Sequence, residues 1–351
     1  MSKRARFLAK HPDRFFMDAD NRPELLNYLR QLGWLSTKEG ILDVETPGDG
    51  NMNYLLRLQT SVRTVILKQA RPWVEKYDQI DAPSDRALVE AAFYTAIKVY
   101  PALEGQMPKL LAVDPSARML MLEDLGTGND YTNIYQDAAL AESDLIQMVQ
   151  YLSALHKVQV SRPSEFTNPV MRRLNHLHIF VIPLQRENTN NLDAITPGLE
   201  KEALRIQQQR RFVDSVTSLG DFYLQDGKTL IHGDFFPGSW LRTSRGPKII
   251  DPEFCFLGFS EFDLGILIAH LFLGHDTQSL VGLALDQYAE QSTRSLTTAQ
   301  KCKILQFAGV EIMRRIIGVA QLPLIRSLEQ KRDLLYQSTE LVLSPSSLKQ
   351  L

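Results

Sequence analysis

Apolar residues recur at helical spacing around Leu25, Leu26, Tyr28, Leu29, Leu32 and Trp34, so residues 1–40 read as helical. From Leu42 the pattern shortens to alternating runs. Tyr54-Leu-Leu-Arg-Leu58 and Thr64-Val-Ile-Leu-Lys68 predict a hairpin of strands, and Arg118-Met-Leu-Met-Leu122 predicts another strand. Between them, Asp85 to Tyr100 returns to a helical pattern, with Ser84 or Asp85 as its cap. Beyond about residue 130 helical patterns dominate, interrupted by two short segments around residues 230–239 and 248–254. The expectation is an α+β chain of two lobes. Residues 1–122 form the first, with a leading helical part (1–40) and a β-rich part (41–122); residues 123–129 form a hinge, and 130–351 a larger helical lobe.

Length agrees with two lobes, since 351 residues exceed the usual ceiling for one core. A balance of 39 Lys+Arg against 41 Asp+Glu gives a net charge of −2 and no nucleic-acid footprint. Only two cysteines occur, Cys255 and Cys302, without metal-ligand spacing, which suggests a reducing compartment. The basic start (Lys3, Arg4, Arg6) is followed by an apolar stretch broken at Lys10, His11, Asp13 and Arg14, so it lacks a signal-peptide core. No apolar run is long enough to span a bilayer. A cytoplasmic protein without a membrane partner is expected.

The chemistry concentrates in Leu230-Ile-His-Gly-Asp-Phe-Phe-Pro-Gly-Ser239 and Lys248-Ile-Ile-Asp-Pro-Glu-Phe254. Asp234 follows one apolar run; Asp251 and Glu253 follow another, 17 residues on from Asp234 to Asp251. Two short strands joined by a turn would bring these acids to one end of a hairpin. One acid can orient or deprotonate an attacking hydroxyl while the other pair holds Mg²⁺ on a nucleotide's phosphates. Each fragment alone has an ordinary reading. His-Gly-Asp can be a turn, and Asp-Pro-Glu can open a helix with Asp as its cap. Together, in this order and downstream of a lysine strand, they point to phosphoryl transfer.

The two segments, extended through Asp251-Pro-Glu-Phe-Cys-Phe-Leu-Gly-Phe-Ser-Glu-Phe-Asp-Leu-Gly265, resemble the catalytic loop and metal segment of the aminoglycoside-phosphotransferase-like kinases. Within that group the chain is most similar to the methylthioribose kinases, which share Ser at position 239 and Asp-Pro-Glu at 251–253. The resemblance implies a protein-kinase-like fold, ATP and Mg²⁺ as cofactors, and a homodimer. It also implies roles for particular residues. Asp234 is the acceptor-side catalyst; Asp251 and Glu253 are metal ligands, and with Pro252 they belong to the ATP site. Asp263 braces the catalytic loop. His232 is read as a scaffold residue, and Ser239 stands where most relatives have Asn.

Gly48-Asp-Gly50-Asn51-Met-Asn53 lies between two candidate strands, where glycines allow close approach to phosphates and a plain hairpin turn is the ordinary alternative. With Val65-Ile-Leu-Lys68 it resembles the glycine loop and lysine strand of methylthioribose kinases, placing Asn51 and Lys68 on the phosphates. Glu90 is the candidate partner of Lys68, the alternative being an exposed helix charge. By resemblance, Met121–Leu125 is the adenine-binding hinge, with contacts from Glu123, Asp124 and Leu125.

Glu311-Ile-Met-Arg-Arg-Ile-Ile-Gly-Val-Ala320 places two adjacent arginines in an apolar helix. They point about 100° apart, so one of them must reach inward and find an anion. That anion is either a buried carboxylate or a ligand; the segment resembles the twin-arginine helix of methylthioribose kinases, making Arg314 and Arg315 acceptor-site candidates. One region departs from that family. Its tryptophan-bearing loop has no match in 71–84, where Trp73 falls too early and Ala82 stands near the tryptophan's place. The expected activity is ATP-dependent phosphorylation of a sugar hydroxyl, most simply 5-methylthioribose. The alternatives are a kinase for another small alcohol (a deoxypentose, an amino alcohol or an aminoglycoside) and a catalytically dead nucleotide-binding regulator.

Overall fold

In the computed structural model, which describes residues 2–48, 52–136, 138–186, 191–274, 278–292 and 295–345, two breaks divide the first forty residues. Helix α1 (Lys3–Lys10) starts at Ser2, whose hydroxyl accepts the Ala5 N–H, and stops at His11, ahead of Pro12. Helix α2 (Arg22–Gln31) is capped by the Asn21 side chain and has Pro23 in its first turn. Pro12 follows α1 and Pro23 sits in the first turn of α2, where each stops a helix from running through, so the segment expected to be helical throughout is two helices.

The chain forms two units, Met1–Thr127 and Gly128–Leu351. The first is built on strands β1 (Ile41–Glu45), β2 (Tyr54–Thr60), β3 (Thr64–Gln69), β4 (Trp73–Val74) and β5 (Tyr77–Asp81). Helices α3 (Arg86–Ile97) and α4 (Pro101–Glu104) follow, then β6 (Leu110–Asp114) and β7 (Met119–Glu123). Five of these strands make an antiparallel sheet in the order β1-β2-β3-β7-β6. Leu56, Leu58, Val65, Leu67, Met119 and Met121 form a buried cluster with Leu25 and Leu29 of α2. Side chains alternate across a strand, so Lys68 lies on the face opposite to Leu67. The α3 helix is shorter than the sequence pattern suggests, because Pro101 starts α4. Asp85 makes no capping hydrogen bond; its carboxylate instead accepts from Arg118 Nε at 2.7 Å.

The interval 71–84 is the hairpin β4–β5. Trp73 is buried with Phe7 of α1 and Phe16, and its indole N–H donates to Glu75. Arg6 stacks over the Trp73 ring at 4.2 Å and pairs with Asp78. This tryptophan therefore belongs to the packing between the N-terminal helix and the hairpin.

The second unit is helical: α5 (Glu142–Leu155), α6 (Pro169–His176), α7 (Leu192–Ile195), α8 (Leu199–Gln207) and α9 (Arg210–Tyr223) precede its strands. Strands β8 (Thr229–Ile231), β9 (Trp240–Thr243), β10 (Gly246–Ile249) and β11 (Phe256–Gly258) come next. Helices α10 (Ser260–Leu273), α11 (Gln278–Gln291), α12 (Thr298–Ile317) and α13 (Leu328–Leu343) close the chain. The apolar helix α10 is buried along nearly its whole length and packs against α12, which also packs against α13. Among the described residues no helix is long and apolar enough to cross a membrane.

The strand before Asp234 and the strand before Asp251 do not form the hairpin that their spacing suggested. Strand β8 pairs with β11, while β9 pairs with β10. The reason is local: the turn Pro237–Ser239 and β9 intervene, so β10 takes its nearest neighbour in sequence. The two pairs are nested, with β9–β10 inside and β8–β11 outside. The segments linking inner to outer strands, 232–239 and 250–255, run side by side. Ile250 N donates to Ser239 O at 3.0 Å, and His232 Nε2 lies 3.0 Å from Ile250 O.

Candidate active site

In the first unit, β3 and α3 bring Lys68 and Glu90 together: Nζ and Oε2 lie 2.7 Å apart, with side chains 3% and 1% exposed. A buried pair of this kind costs desolvation on both sides, so it is weak evidence for stability and better evidence that a lysine must stay extended. Glu123 ends β7, its amide donating to Lys109 O and its carboxylate accepting the Lys109 amide. Asp124 takes a two-pronged bond from Arg57 (3.0 and 3.1 Å) and accepts the Gly126 amide, and Leu125 is half-buried between them. Both acidic side chains in this segment are thus engaged with their own unit. Asn51 lies outside the described residues.

In the second unit the loop after β8 is fixed at almost every atom. Asp263, fully buried in the first turn of α10, accepts the His232 amide at 2.7 Å and the Gly233 amide at 2.9 Å. His156 Nε2 lies 3.3 Å from the same carboxylate. His232 spans the loop, with Nδ1 accepting the Asp234 amide at 3.3 Å while Nε2 faces the Ile250 carbonyl. That pattern makes Nε2 the protonated nitrogen and gives His232 a scaffold position. Ser239 donates its hydroxyl to the Asp234 carbonyl at 3.0 Å, closing the loop from the other end. Gly233 has φ +83°, and a Cβ there would meet Phe254 O at 2.2 Å. Only glycine permits that approach of the two segments.

Asp251 also sits in the left-handed region, φ 61°, where Asp is among the few tolerated side chains. It stands at the N-cap position of a single 3₁₀ turn, Pro252–Phe254, so the helix-opening alternative is realised in short form but without a side-chain capping bond. The turn carries Glu253, which is buried; the backbone carbonyls of Glu253 and Cys255 are held by Asn168 Nδ2 at 2.9 and 3.0 Å. Two carboxylates flanking Pro252 offer hard oxygen donors, a set suited to Mg²⁺, which keeps waters and leans on one or two protein carboxylates.

Helix α12 supplies the cationic side. Both arginines are buried, and both bind one carboxylate, Glu311, at i−3 and i−4. Arg314 Nη1 lies 3.1 and 2.9 Å from its two oxygens, and Arg315 Nε 2.5 Å from Oε1. Arg315 Nη2 reaches 3.9 Å from Asp234 Oδ1, and its guanidinium stacks over Phe236 at 4.7 Å. At 3.9 Å this contact is electrostatic and too long for a hydrogen bond. Of the two anions that the sequence left open, the buried carboxylate is present as Glu311, and Arg315 also lies near Asp234.

Asp234 is 23% exposed, yet desolvation is the largest influence on it and lifts its pKa from 3.8 to about 6. Arg315 and Arg314 oppose that rise; Glu311 and Glu253 add to it. Burial alone would raise Glu311, but Arg314, Arg315 and His270 outweigh it and hold the carboxyl well below its usual range. His270, pushed down to about 4 chiefly by burial, is neutral. Its Nδ1 lies 2.7 Å from the Tyr135 hydroxyl, and its Nε2 3.3 Å from Glu311 Oε1.

Glu311, His270, Tyr135 and Phe236 cluster with Arg315, and the sequence reading left them without a role. Glu311 was within reach, because Glu-x-x-Arg-Arg on a helix sets both arginines at ion-pair spacing from it. His270 and Tyr135 are joined only by the fold. So is His178, in a π-helical turn at Leu177–Val181, whose pKa falls through burial and the charge of Arg314.

A kinase-type loop, a carboxylate turn beside it and a lysine–glutamate pair in a β-rich unit define a phosphotransferase. The chain belongs to the phosphotransferase enzyme family, whose model matches residues 43–297. It is 28% identical to the methylthioribose kinase of Exiguobacterium sibiricum, over 88% of this chain and 87% of that one. Among solved structures it is similar to a choline/ethanolamine kinase family protein from Mesorhizobium loti (TM-score 0.55, 15% identity, 93% of this chain, 97% of the other). It is also similar to a spectinomycin phosphotransferase in complex with ADP and spectinomycin (TM-score 0.52, 14% identity, 91% and 98%). The chain is a small-molecule kinase, a phosphotransferase acting on a hydroxyl group, of the protein-kinase-like fold.

Proposed function

We propose that this kinase phosphorylates 5-methylthioribose at its C1 hydroxyl with ATP as donor. Asp234 accepts the hydroxyl proton, the freed oxygen attacks the γ-phosphorus, and the bond to the β-bridging oxygen breaks to release ADP. The observation that carries the reading is Asp234 beside Arg315 in a loop braced by Asp263. A carboxylate with a pKa near 6 is ionised at neutral pH yet basic enough to take a proton.

The first unit contributes Lys68, held by Glu90, and by resemblance Asn51 toward the nucleotide's phosphates, and the 123–125 backbone toward adenine. The second contributes Asp251 and Glu253, which would hold Mg²⁺; when bound, it neutralises phosphate charge. Arg314 and Arg315 face the acceptor, and guanidinium donors suit sugar hydroxyls. The relationship to methylthioribose kinases along nearly the whole chain supports the named acceptor.

The test is ADP release by the purified chain with ATP, Mg²⁺ and 5-methylthioribose, ribose, choline or kanamycin in turn, with phosphorus NMR to locate the new ester. Turnover with 5-methylthioribose and an ester at C1 is expected. Turnover with choline or kanamycin and none with the sugar would overturn the acceptor.

A further inference from the structure

We propose that Glu311 is a positioning residue for phosphoryl transfer, fixing Arg315 over Asp234 from inside the helical core. The argument begins with cost. Glu311, Arg314 and Arg315 are all buried, and taking three charges out of water is expensive. Apolar residues of similar volume at these positions would pack as well or better, so stability alone gives no reason for the cluster.

Geometry supplies a reason. Arg315 has one edge, Nε, closed on Glu311 at 2.5 Å, while Nη2 stands 3.9 Å from Asp234. A guanidinium is planar, so a bond at Nε sets the direction of the opposite nitrogens. The Phe236 ring, 4.7 Å from the guanidinium carbon, limits rotation out of that plane. Behind Glu311 stands neutral His270, its Nε2 3.3 Å from Oε1 without a hydrogen bond between them, and its Nδ1 2.7 Å from the Tyr135 hydroxyl. The chain Tyr135, His270, Glu311, Arg315 therefore ends on the carboxylate assigned to the acceptor, and none of its first three members needs to touch substrate.

This inference rests on the reading of Asp234 as the acceptor-side group. It is tested on the full chain with 5-methylthioribose, or with ribose if only ribose turns over. Steady-state kinetics are compared for Glu311→Gln, Glu311→Asp, Arg315→Met and the double variant Glu311→Gln/Arg315→Met. A misplacement of about 1 Å costs on the order of 100-fold, so Glu311→Gln should lower kcat/KM for the acceptor about 10- to 100-fold. The KM for ATP should stay within about twofold, since the change lies on the acceptor side. Glu311→Asp should recover part of the loss. The double variant should lose no more than Arg315→Met alone, because residues acting as one unit are not additive.

Unchanged acceptor kinetics in Glu311→Gln would overturn the proposal. So would additive losses in the double variant, or a parallel loss of ATP affinity, either of which would mark a general structural role. If Glu311→Gln does not fold, Glu311→Asp decides by the same comparison of acceptor and ATP parameters. An active Asp234→Asn would instead refute the acceptor-side reading, whatever Glu311 does.

Discussion

At the residue scale, the most telling side chain is Asp234, because its surroundings hold its pKa at about 6. The sign of the consequence differs for activity and stability. Below about pH 6 the carboxyl is protonated and cannot accept a proton, so kcat/KM should fall on an acid limb near that value. The charged groups facing it are Arg315, Arg314, Glu311 and Glu253. Removing the largest cationic influence with Arg315→Met should move the limb to higher pH. For stability, the folded state binds the proton more tightly than the unfolded chain, so ionisation above pH 6 is a cost to folding. Asp234→Asn should therefore lose about 10²–10⁴-fold in kcat while keeping ATP affinity. Its Tm at pH 7 should rise, each kcal/mol gained being worth about 1–2 °C in a chain of 351 residues. A melting curve and a pH–rate profile check both halves. A lower Tm with unchanged turnover would remove Asp234 from its proposed role.

At the element scale, the site depends on two loops that nested strand pairs set side by side. Gly233→Ala would place a Cβ about where Phe254 O stands, at a φ that also disfavours alanine. A loss of about 2–4 kcal/mol is expected in denaturant titration, with turnover falling further than stability because the loops separate. Asp251 calls for a different substitution: its left-handed backbone tolerates Asn, so Asp251→Asn removes the charge without adding strain. Turnover should vanish with the melting temperature nearly unchanged, whereas full activity would exclude Asp251 from the metal site. This scale also shows how far the sequence could be read. The motifs around Asp234 and Asp251, the lysine strand and the twin-arginine helix were legible because each is local, a few residues between recognisable breaks. The strand partners were not. The β8–β11 pair encloses the β9–β10 pair, and no periodicity in either run encodes that nesting. Likewise His270 and Tyr135 are 135 residues apart and meet only through packing of α10.

At the scale of the whole molecule, acceptor choice follows from which groups each unit has left over for a ligand. Trp73 is consumed by its own unit, buried against Phe7 and Phe16, and cannot serve as a substrate lid. Discrimination is therefore assigned to the second unit, where Asp234 has Arg315 at 3.9 Å and Phe236 beside that guanidinium. Arg314 and Arg315 share Glu311, and Arg315 also faces Asp234, so the cluster carries no net positive charge and presents directional guanidinium donors rather than a cationic field. The hydroxyls of a neutral sugar can accept from such donors. The methylthio end has nothing to hydrogen-bond, so it gains only where apolar surface such as the Phe236 ring is available. Burying one such group favours the thio-sugar over ribose by about 10–200-fold. Competition assays at limiting enzyme should thus rank 5-methylthioribose first and ribose well behind. Phe236→Ala should narrow the gap between the first two while leaving ribose turnover comparatively unchanged. If the substitution lowers both sugars equally, the apolar contact lies elsewhere and the ring serves only to hold Arg315.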